Sequence, residues 1–389
     1  MKIIDIVTCS VRLSGAISNA VVSFDDHDVS LVAVISDVIR NGRPVTGVAF
    51  NSIGRYAQRG ILLDRVRPRI LAADPAELLN DAGDAFDPAR VHALAMKNEK
   101  PGGHGDRASA IGALELAFWD LNAKLAERPA WHLIAQAFGT SAQAGPVPVY
   151  AAGGYYYDAS VAGQTLRDEL SRYRDLGFDA FKMKVGGAPV AEDLRRIEEA
   201  LAIAGCGSRL AVDANGRFDL EQGLAFARHI ESYGLRWYEE IGDPLDYALN
   251  QAMAHHYDGA IATGENLFSY QDVRNLLNFG GMRAGRDIFQ MDAGLSYGLT
   301  EYGRIIELLE GRGFQRSQVY PHGGHLINLH IVVGLGLGGC EAYPGVFQPF
   351  GGYPPTCRVI DGTVMPSEAP GFGLEEKPEI AAAITQLLH

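Results

Sequence analysis

Apolar and polar positions follow two different patterns along the chain. Near the N-terminus, short apolar stretches such as 30–36 (SLVAVIS) and 47–56 (GVAFNSIGRY) are typical of strands separated by turns. Over residues 109–138, apolar residues recur at spacings of three and four, and Pro129 opens a second helix there. Residues 1–145 are therefore predicted to form an α+β domain.

From residue 146 onward, short apolar segments alternate with amphipathic helical stretches. The apolar segments are 149–151, 180–184, 210–214, 237–240, 260–265, 288–292, 318–322 and 340–343. Eight such segments with helices between most of them predict a parallel sheet closed into a barrel. The predicted fold class is α/β, with a barrel over 146–345 and a loop-rich segment, 346–389, that returns to the first domain.

Composition excludes several classes of protein. The 389-residue chain carries a net charge of −13, which disfavours nucleic-acid binding because such a surface repels phosphate backbones. Its apolar runs are too short to span a membrane, so no membrane partner is expected. The four cysteines form no CxxC pair and are expected to be reduced, and the N-terminus does not resemble a signal peptide. We expect a cytoplasmic protein.

Ionisable residues lie at the ends of most of the predicted barrel strands. They are Lys184, Asp213, Glu239, Glu265, Asp292, His322 and Glu341, separated by 29, 26, 26, 27, 30 and 19 residues. Steps of about one strand–helix unit place them all at the same end of the barrel. The C-terminal end of barrel strands is where active sites form.

Three of these residues predict a metal site. Asp213, Glu239 and Glu265 are spaced 26 residues apart and would crowd three carboxylates onto one face. Such a cluster needs a hard cation, and oxygen ligands without nearby cysteine favour Mg²⁺. The alternative is three separate salt bridges. Asn215 and Glu240, beside these ligands, are candidates for supporting hydrogen bonds.

The other strand-end residues predict acid–base chemistry. Lys182 and Lys184 share one face of a strand, and two neighbouring ammonium groups would lower each other's pKa, which suits a base. Asp292 next to His322 would fix the imidazole tautomer and raise its pKa. Glu341 has two interpretations: a protonated carboxyl that hydrogen-bonds the substrate, or a carboxylate that braces a lysine.

These residues, in this order and spacing, resemble the enolase superfamily, and specifically its mandelate racemase subgroup. The motifs that carry the resemblance are VDANG (212–216), YEEI (238–241), GEN (264–266), QMDAG (290–294), PHGG (321–324) and CEAYPG (340–345). The resemblance covers nearly the whole chain. It implies a (β/α)7β modified TIM barrel with an N-terminal α+β capping domain.

The resemblance also implies roles for individual residues. It implies Mg²⁺ on Asp213, Glu239 and Glu265, Lys184 as the base that removes the proton next to a carboxylate, Lys182 as its electrostatic partner, and His322–Asp292 as a second acid–base pair. It further implies a homo-oligomer, and a capping domain that closes the site through loops near 15–25 and 47–58. Arg55 and Tyr56 in the second loop are expected to bind substrate.

The expected reaction is dehydration of a small hydroxy acid to a 2-keto acid. Within the subgroup the chain is similar to D-tartrate dehydratases, which implies conversion of D-tartrate to oxaloacetate. A diacid needs a cation for its distal carboxylate, and the loop 97–107 offers Lys97, Lys100, His104 and Arg107. A longer aldonate or aldarate remains an alternative substrate.

Parts of the sequence are also compatible with other functions. The same groups would serve a racemase or epimerase if the proton returned to the carbon. The glycine run 334–339 precedes a strand instead of opening a helix after one, which argues against nucleotide binding. His325 and His330, near His322, lack a zinc-type motif and are expected to be structural.

Overall fold

In the computed structural model, the N-terminal part is a three-stranded antiparallel sheet covered by helices. The structure describes residues 1–14, 17–140, 145–157 and 165–389. The sheet has the order β1 (Ile3–Arg12), β2 (Asp28–Arg40), β3 (Arg43–Phe50). The helices of this part are α1 (Arg67–Leu71), α2 (Pro75–Leu78), α3 (Pro88–Ala95), α4 (Gly105–Leu125) and α5 (Ala130–Ala137). Of these, α1 and α4 pack against the sheet.

The longest helix, α4, packs directly on β2 and β3. A Cβ at Gly47 in β3 would lie 2.1 Å from the Ala117 carbonyl oxygen, so only glycine permits this approach. Nearly every residue of α4 from Arg107 to Ala123 is buried. The helix is therefore a core element that also faces the second part of the molecule.

Parallel strands alternate with helices through the rest of the chain. The strands are β4 (Val147–Gly153), β5 (Phe181–Lys184), β6 (Leu210–Asp213), β7 (Tyr238–Glu239), β8 (Ile261–Thr263), β9 (Ile288–Phe289) and β10 (Cys340–Ala342). The helices are α6 (Leu166–Asp175), α7 (Val190–Ala204), α8 (Leu220–Ile230), α9 (Tyr247–His256), α10 (Tyr270–Phe279), α11 (Leu299–Gly311) and α12 (Leu326–Leu335).

The strands from β4 to β9 pair in sequence order, and β10 pairs with β4 in parallel. The sheet closes because Val319 bridges to Phe289 of β9 and its carbonyl accepts a backbone hydrogen bond from Gly338 (3.0 Å), just before β10. The predicted α/β barrel with an N-terminal α+β part is thus confirmed. The predicted strand 318–322 is reduced to a single bridge between Val319 and Phe289. Backbone hydrogen bonds from Tyr320 to Phe289 (2.8 Å) and from His322 to Gln290 (3.2 Å) still hold this segment in place beside β9.

Side-chain caps fix where several barrel helices begin. The capping residues are Thr165, Asp219, Asp246, Ser269 and His325, before α6, α8, α9, α10 and α12. Each accepts a hydrogen bond from a backbone N–H of the first turn that would otherwise lack a partner. The loops that lead from β6 to α8 (214–219), from β7 to α9 (240–246) and from β8 to α10 (264–269) are therefore short.

The C-terminal segment contacts both parts of the molecule. β11 (Val359–Ile360) and β12 (Thr363–Val364) form a hairpin that pairs with β4, and α13 (Pro378–Leu388) packs against β1 and β2. The domain boundaries at 145 and 346 stay predictions. Among the described residues, none of the helices has the length and apolar character needed to cross a bilayer. The four cysteines are free.

Candidate active site

Three carboxylates converge at the C-terminal end of the barrel. Asp213 and Glu239 end β6 and β7, where they are paired in register, and Glu265 follows β8 by two residues. One oxygen from each lies within 4.8 Å of the others. Asp213 and Glu239 are completely buried. Burial and the neighbouring Asp213 raise the pKa of Glu239 to about 8. This dense set of hard oxygen donors fits Mg²⁺.

Two buried lysines contact this carboxylate triad (Asp213, Glu239 and Glu265). Lys182 Nζ lies 2.5 Å from Glu239 Oε1 and 2.8 Å from Glu341 Oε1, and Lys184 Nζ lies 2.5 Å from Asp213 Oδ2. The shared strand face predicted from the sequence is thus present. The expected lowering of the lysine pKa is wrong for the protein without a cation. Burial lowers the pKa of Lys184, but Asp213 and other carboxylates outweigh it and raise the value.

Glu341 contacts Lys182, as expected if it is a carboxylate that braces a lysine. Burial alone would raise its pKa, but Lys182 and His322 together hold the pKa below the usual value. The other oxygen, Oε2, accepts a hydrogen bond from the Gly323 backbone at 3.0 Å. Glu341 therefore contacts Lys182 as an ionised carboxylate, and its binding to substrate stays a prediction.

His322 lies beside Glu265, at the end of the triad opposite to Lys184. Its Nε2 lies 3.8 Å from Glu265 Oε2 and 3.2 Å from the Tyr343 hydroxyl, whereas Lys184 adjoins Asp213. Burial lowers the pKa of His322, but Glu265 and Asp292 outweigh it and raise the pKa to about 9. A cationic imidazole and an amine thus flank the three carboxylates.

Asp292 is held by groups that sequence reasoning missed. Its Oδ2 lies 3.7 Å from His322 Nδ1, an ion-pair distance longer than a hydrogen bond. The same oxygen accepts hydrogen bonds from Ser52 Oγ and, at 3.2 Å, from Asn328 Nδ2. Ser52 also lies 2.9 Å from His325 Nε2. The only signal for Ser52 in the sequence was its position inside the loop 47–58.

That loop reaches over the barrel. A Cβ at Gly54, whose φ is +114°, would lie 3.6 Å from His322 Cε1. Arg55 donates to Asn266 Oδ1 at 2.8 Å, and its guanidinium carbon lies 4.7 Å from the centre of the Phe268 ring. The N-terminal part therefore supplies one wall of the site.

A cavity of about 570 Å³ opens beside the triad. Five of the residues singled out from the sequence line it, namely Arg55, Tyr56, Asn215, Glu240 and Glu265. His27, which the sequence did not single out, lines it as well. Asn215 Oδ1 is buried without a hydrogen-bond partner among the described residues. The volume lies in the range of small-molecule sites, which is roughly 300–1,000 Å³.

None of the four cationic candidates of the loop 97–107 lines the cavity beside the triad, among the described residues. Arg107 is buried, and it donates to the Tyr297 hydroxyl (2.9 Å) and to the carbonyls of Lys100 (2.8 Å) and Gly102 (2.6 Å), which holds the loop together. Lys100 is exposed and lines a different hollow, with Arg107. A contact of Lys100, Lys97, His104 or Arg107 with the distal carboxylate stays a prediction.

Comparison with known proteins gives a consistent result. The sequence profile of a family described as enolase C-terminal domain-like matches residues 165–380, more than half of the chain. The 3,6-anhydro-alpha-L-galactonate cycloisomerase of Streptomyces coelicolor is 29% identical over 284 residues, which are 70% of each chain. The L-talarate/galactarate dehydratase of Salmonella typhimurium is 28% identical over 302 residues, 77% of this chain and 70% of that one.

Solved structures share the fold across almost the full length. A racemase from Streptomyces coelicolor with bound magnesium superposes with a TM-score of 0.75 at 23% identity, covering 98% of both chains. The L-talarate/galactarate dehydratase of Salmonella typhimurium gives a TM-score of 0.74 at 22% identity, covering 96% of this chain and 88% of that one. At such identities the superpositions establish the architecture.

Proposed function

Because the chain belongs to the enolase C-terminal domain-like family, within the enolase superfamily, we propose that it is a Mg²⁺-dependent dehydratase of an acid sugar. This carbon–oxygen lyase removes the proton next to a carboxylate and expels the β-hydroxyl, giving a 2-keto acid. The observation that carries the proposal is the placement of Lys184 and His322 at the two ends of the carboxylate triad.

Asp213, Glu239 and Glu265 would hold the metal. When bound, Mg²⁺ supplies stabilisation of the negative charge that develops on the substrate carboxylate as its α-proton leaves. An α-proton next to a carboxylate is otherwise very weakly acidic. Lys182, braced by Glu341, adds a fixed positive charge in the same buried place.

Lys184 is the proposed base. Burial and the neighbouring Lys182 both lower its pKa, and Asp213 is the main group that raises it. An Asp213 carboxylate engaged as a metal ligand would no longer stabilise the ammonium form. The two lowering effects then dominate, and the amine becomes available to accept a proton near neutrality.

His322 is the proposed acid. Burial lowers the pKa of His322, and Glu265 raises it, but Glu265 would be a metal ligand. Asp292, which would not be one, also raises this pKa and so favours the protonated imidazole that donates to the departing hydroxyl. Asp292, oriented by Ser52 and Asn328, stabilises that cation. The roles of the two groups are complementary: one takes a proton from carbon and the other gives one to oxygen.

The substrate is an acid sugar, and D-tartrate is the smallest one we propose to test. Arg55 is the only lysine or arginine lining the cavity, among the residues that the structure describes, and would meet a distal carboxylate. The cavity volume and the six-carbon acids named for the Salmonella relative support a longer aldarate or aldonate as the alternative.

A racemase or epimerase is the second candidate function. It is favoured by the same pair of groups, since His322 could return a proton to the carbon from which Lys184 removed one. The two functions differ in their products: a dehydratase forms a keto acid, whereas a racemase exchanges the α-proton without forming one.

The test is a screen of D-tartrate, galactarate and aldonates with Mg²⁺, in H₂O and in D₂O. Keto-acid formation that requires Mg²⁺ and disappears in Lys184→Ala supports the dehydratase. Deuterium incorporation without keto acid supports the racemase. If no acid shows either reaction, the proposed function is wrong. A homo-oligomer and a cytoplasmic location stay predictions, and light scattering would measure the first.

A further inference from the structure

His27 is a buried histidine at the cavity for which the described part of the chain provides no hydrogen-bond partner. His27 precedes β2 and is only 3% exposed. Both ring nitrogens are buried, and neither has a hydrogen-bond partner among the described residues. Buried polar atoms are almost always paired, so an imidazole with two unpaired nitrogens calls for a physical explanation.

His27 and the aromatic residues around it line the cavity that we propose for the substrate. Its ring lies 4.5 Å from the ring of Tyr56 and 5.6 Å from that of Phe24, measured between centres. All three residues line the cavity together with Arg55. They form the wall contributed by the N-terminal loops, facing the strand-end wall that carries Glu265.

We propose that His27 is a specificity-determining residue that binds a hydroxyl group on the part of the substrate that lies against the N-terminal loops. This inference rests on the proposed dehydratase function, because it takes an acid sugar as the occupant of the cavity. Tyr56 is 53% exposed, so its ring can turn to let a ligand reach the imidazole.

The two unpaired ring nitrogens of His27 suit a hydroxyl group better than a carboxylate. A neutral imidazole offers one donor and one acceptor, and a hydroxyl group can satisfy both. A carboxylate accepts hydrogen bonds but donates none, and the neighbouring Arg55 is the better partner for it. Burial lowers the pKa of His27, and Arg55 lowers it further against the opposing effect of Asp28, so the neutral form is favoured.

Arg55 and His27 thus have different roles on this wall of the cavity. Arg55 supplies charge, whereas His27 distinguishes a hydroxylated carbon chain from one that is shorter or deoxygenated. Sites built to hydrogen-bond a substrate hydroxyl discriminate strongly against analogues that lack it, because the protein groups are then left unpaired.

The test measures affinity without turnover. Galactarate and D-tartrate are titrated by calorimetry, with saturating Mg²⁺, into the Lys184→Ala protein, into the same protein with His27→Phe, and into the same protein with His27→Gln. Phenylalanine keeps the ring packing but removes both hydrogen-bonding atoms. Glutamine keeps a donor and an acceptor.

His27→Phe is expected to weaken galactarate binding roughly tenfold or more and to leave D-tartrate binding within about twofold. His27→Gln is expected to restore most of the galactarate affinity. The matched control is His330→Phe, which removes another buried histidine with an unpaired nitrogen that does not line the cavity. This control should leave both affinities unchanged.

Equal losses for the two acids, no loss, or an absence of galactarate binding to the Lys184→Ala protein would each overturn the assignment of His27. The proposed function fails separately, when the unmodified enzyme forms no keto acid. A His27-dependent galactarate site in an enzyme that forms no keto acid would sustain the binding inference while the dehydratase assignment falls.

Discussion

Lowering the pH from 8 to 6 is expected to weaken Mg²⁺ binding about 50-fold. In the metal-free protein the pKa of Glu239 is about 8, so its carboxyl is about half protonated at pH 8 and about 99% protonated at pH 6. A carboxylate binds a metal ion only after losing its proton, so the apparent affinity follows the ionised fraction. The change corresponds to about 2 kcal/mol of binding free energy.

The direction in which pH changes the stability follows from the raised pKa of Glu239. Because the folded-state pKa of Glu239 is raised, the folded protein holds a proton that the unfolded chain has lost. The metal-free protein therefore loses stability as the pH rises from about 4.5 through 8. Magnesium binds best over the upper part of that range, so its stabilisation of the fold should be larger at pH 8 than at pH 6.

Calorimetric titration of the metal-free enzyme at pH 6, 7 and 8 measures this effect. Repeating it in buffers of different ionisation enthalpy counts the protons released, and about one is expected at pH 6. In Glu239→Gln the pH dependence should disappear along with most of the affinity. The matched control Glu240→Gln changes the adjacent buried carboxyl, which is outside the triad, and should keep it. Equal affinities at pH 6 and pH 8 would refute the reasoning.

Four further substitutions test the site. Lys184→Ala should slow α-proton exchange in D₂O, followed by NMR, about 10²–10⁴-fold and leave Mg²⁺ affinity within a few-fold. His322→Asn should keep that exchange but slow keto-acid formation, measured by a coupled assay, by a similar factor. Ser52→Ala removes a donor from Asp292 and should lower the free energy of unfolding in urea by about 1–3 kcal/mol, with Ser52→Thr closer to the parent. Lys100→Ala should leave kcat and KM within about twofold, since Lys100 does not line the cavity.

The sequence was sufficient to predict the residues whose positions follow from the repeat of strand and helix along the chain. Asp213, Glu239 and Glu265 follow one another at intervals of 26 residues, which is about the length of one strand–helix unit. Their spacing alone therefore placed them at one end of the barrel. The lysine pair followed from the two-residue period of a strand. These inferences needed no knowledge of how distant parts of the chain meet.

Properties that depend on distant partners were not predictable in this way. The raised pKa of Lys184 comes from Asp213, 29 residues away, at 2.5 Å from its Nζ. The direction in which a loop charge points also depends on distant partners: the composition of 97–107 fits a cationic lid, whereas the Arg107 side chain donates to the Tyr297 hydroxyl. Only the tertiary structure decides whether a charged loop residue faces substrate or stabilises its own loop.

The N-terminal part contributes to the site in two ways. Through Ser52 it donates a hydrogen bond to Asp292, the carboxylate that faces the imidazole of the proposed acid. Through His27 and Arg55 it lines the cavity that we propose for the substrate. The N-terminal part is attached to the barrel through α4, because Glu115 accepts hydrogen bonds from the backbone N–H groups of Leu299 (2.6 Å) and Thr300 (2.9 Å) at the start of α11. Ser52 and Arg55 lie in one loop, 47–58, whereas His27 directly precedes β2 and lies outside that loop. Substrate preference can therefore change through His27 while Ser52 keeps its hydrogen bond to Asp292.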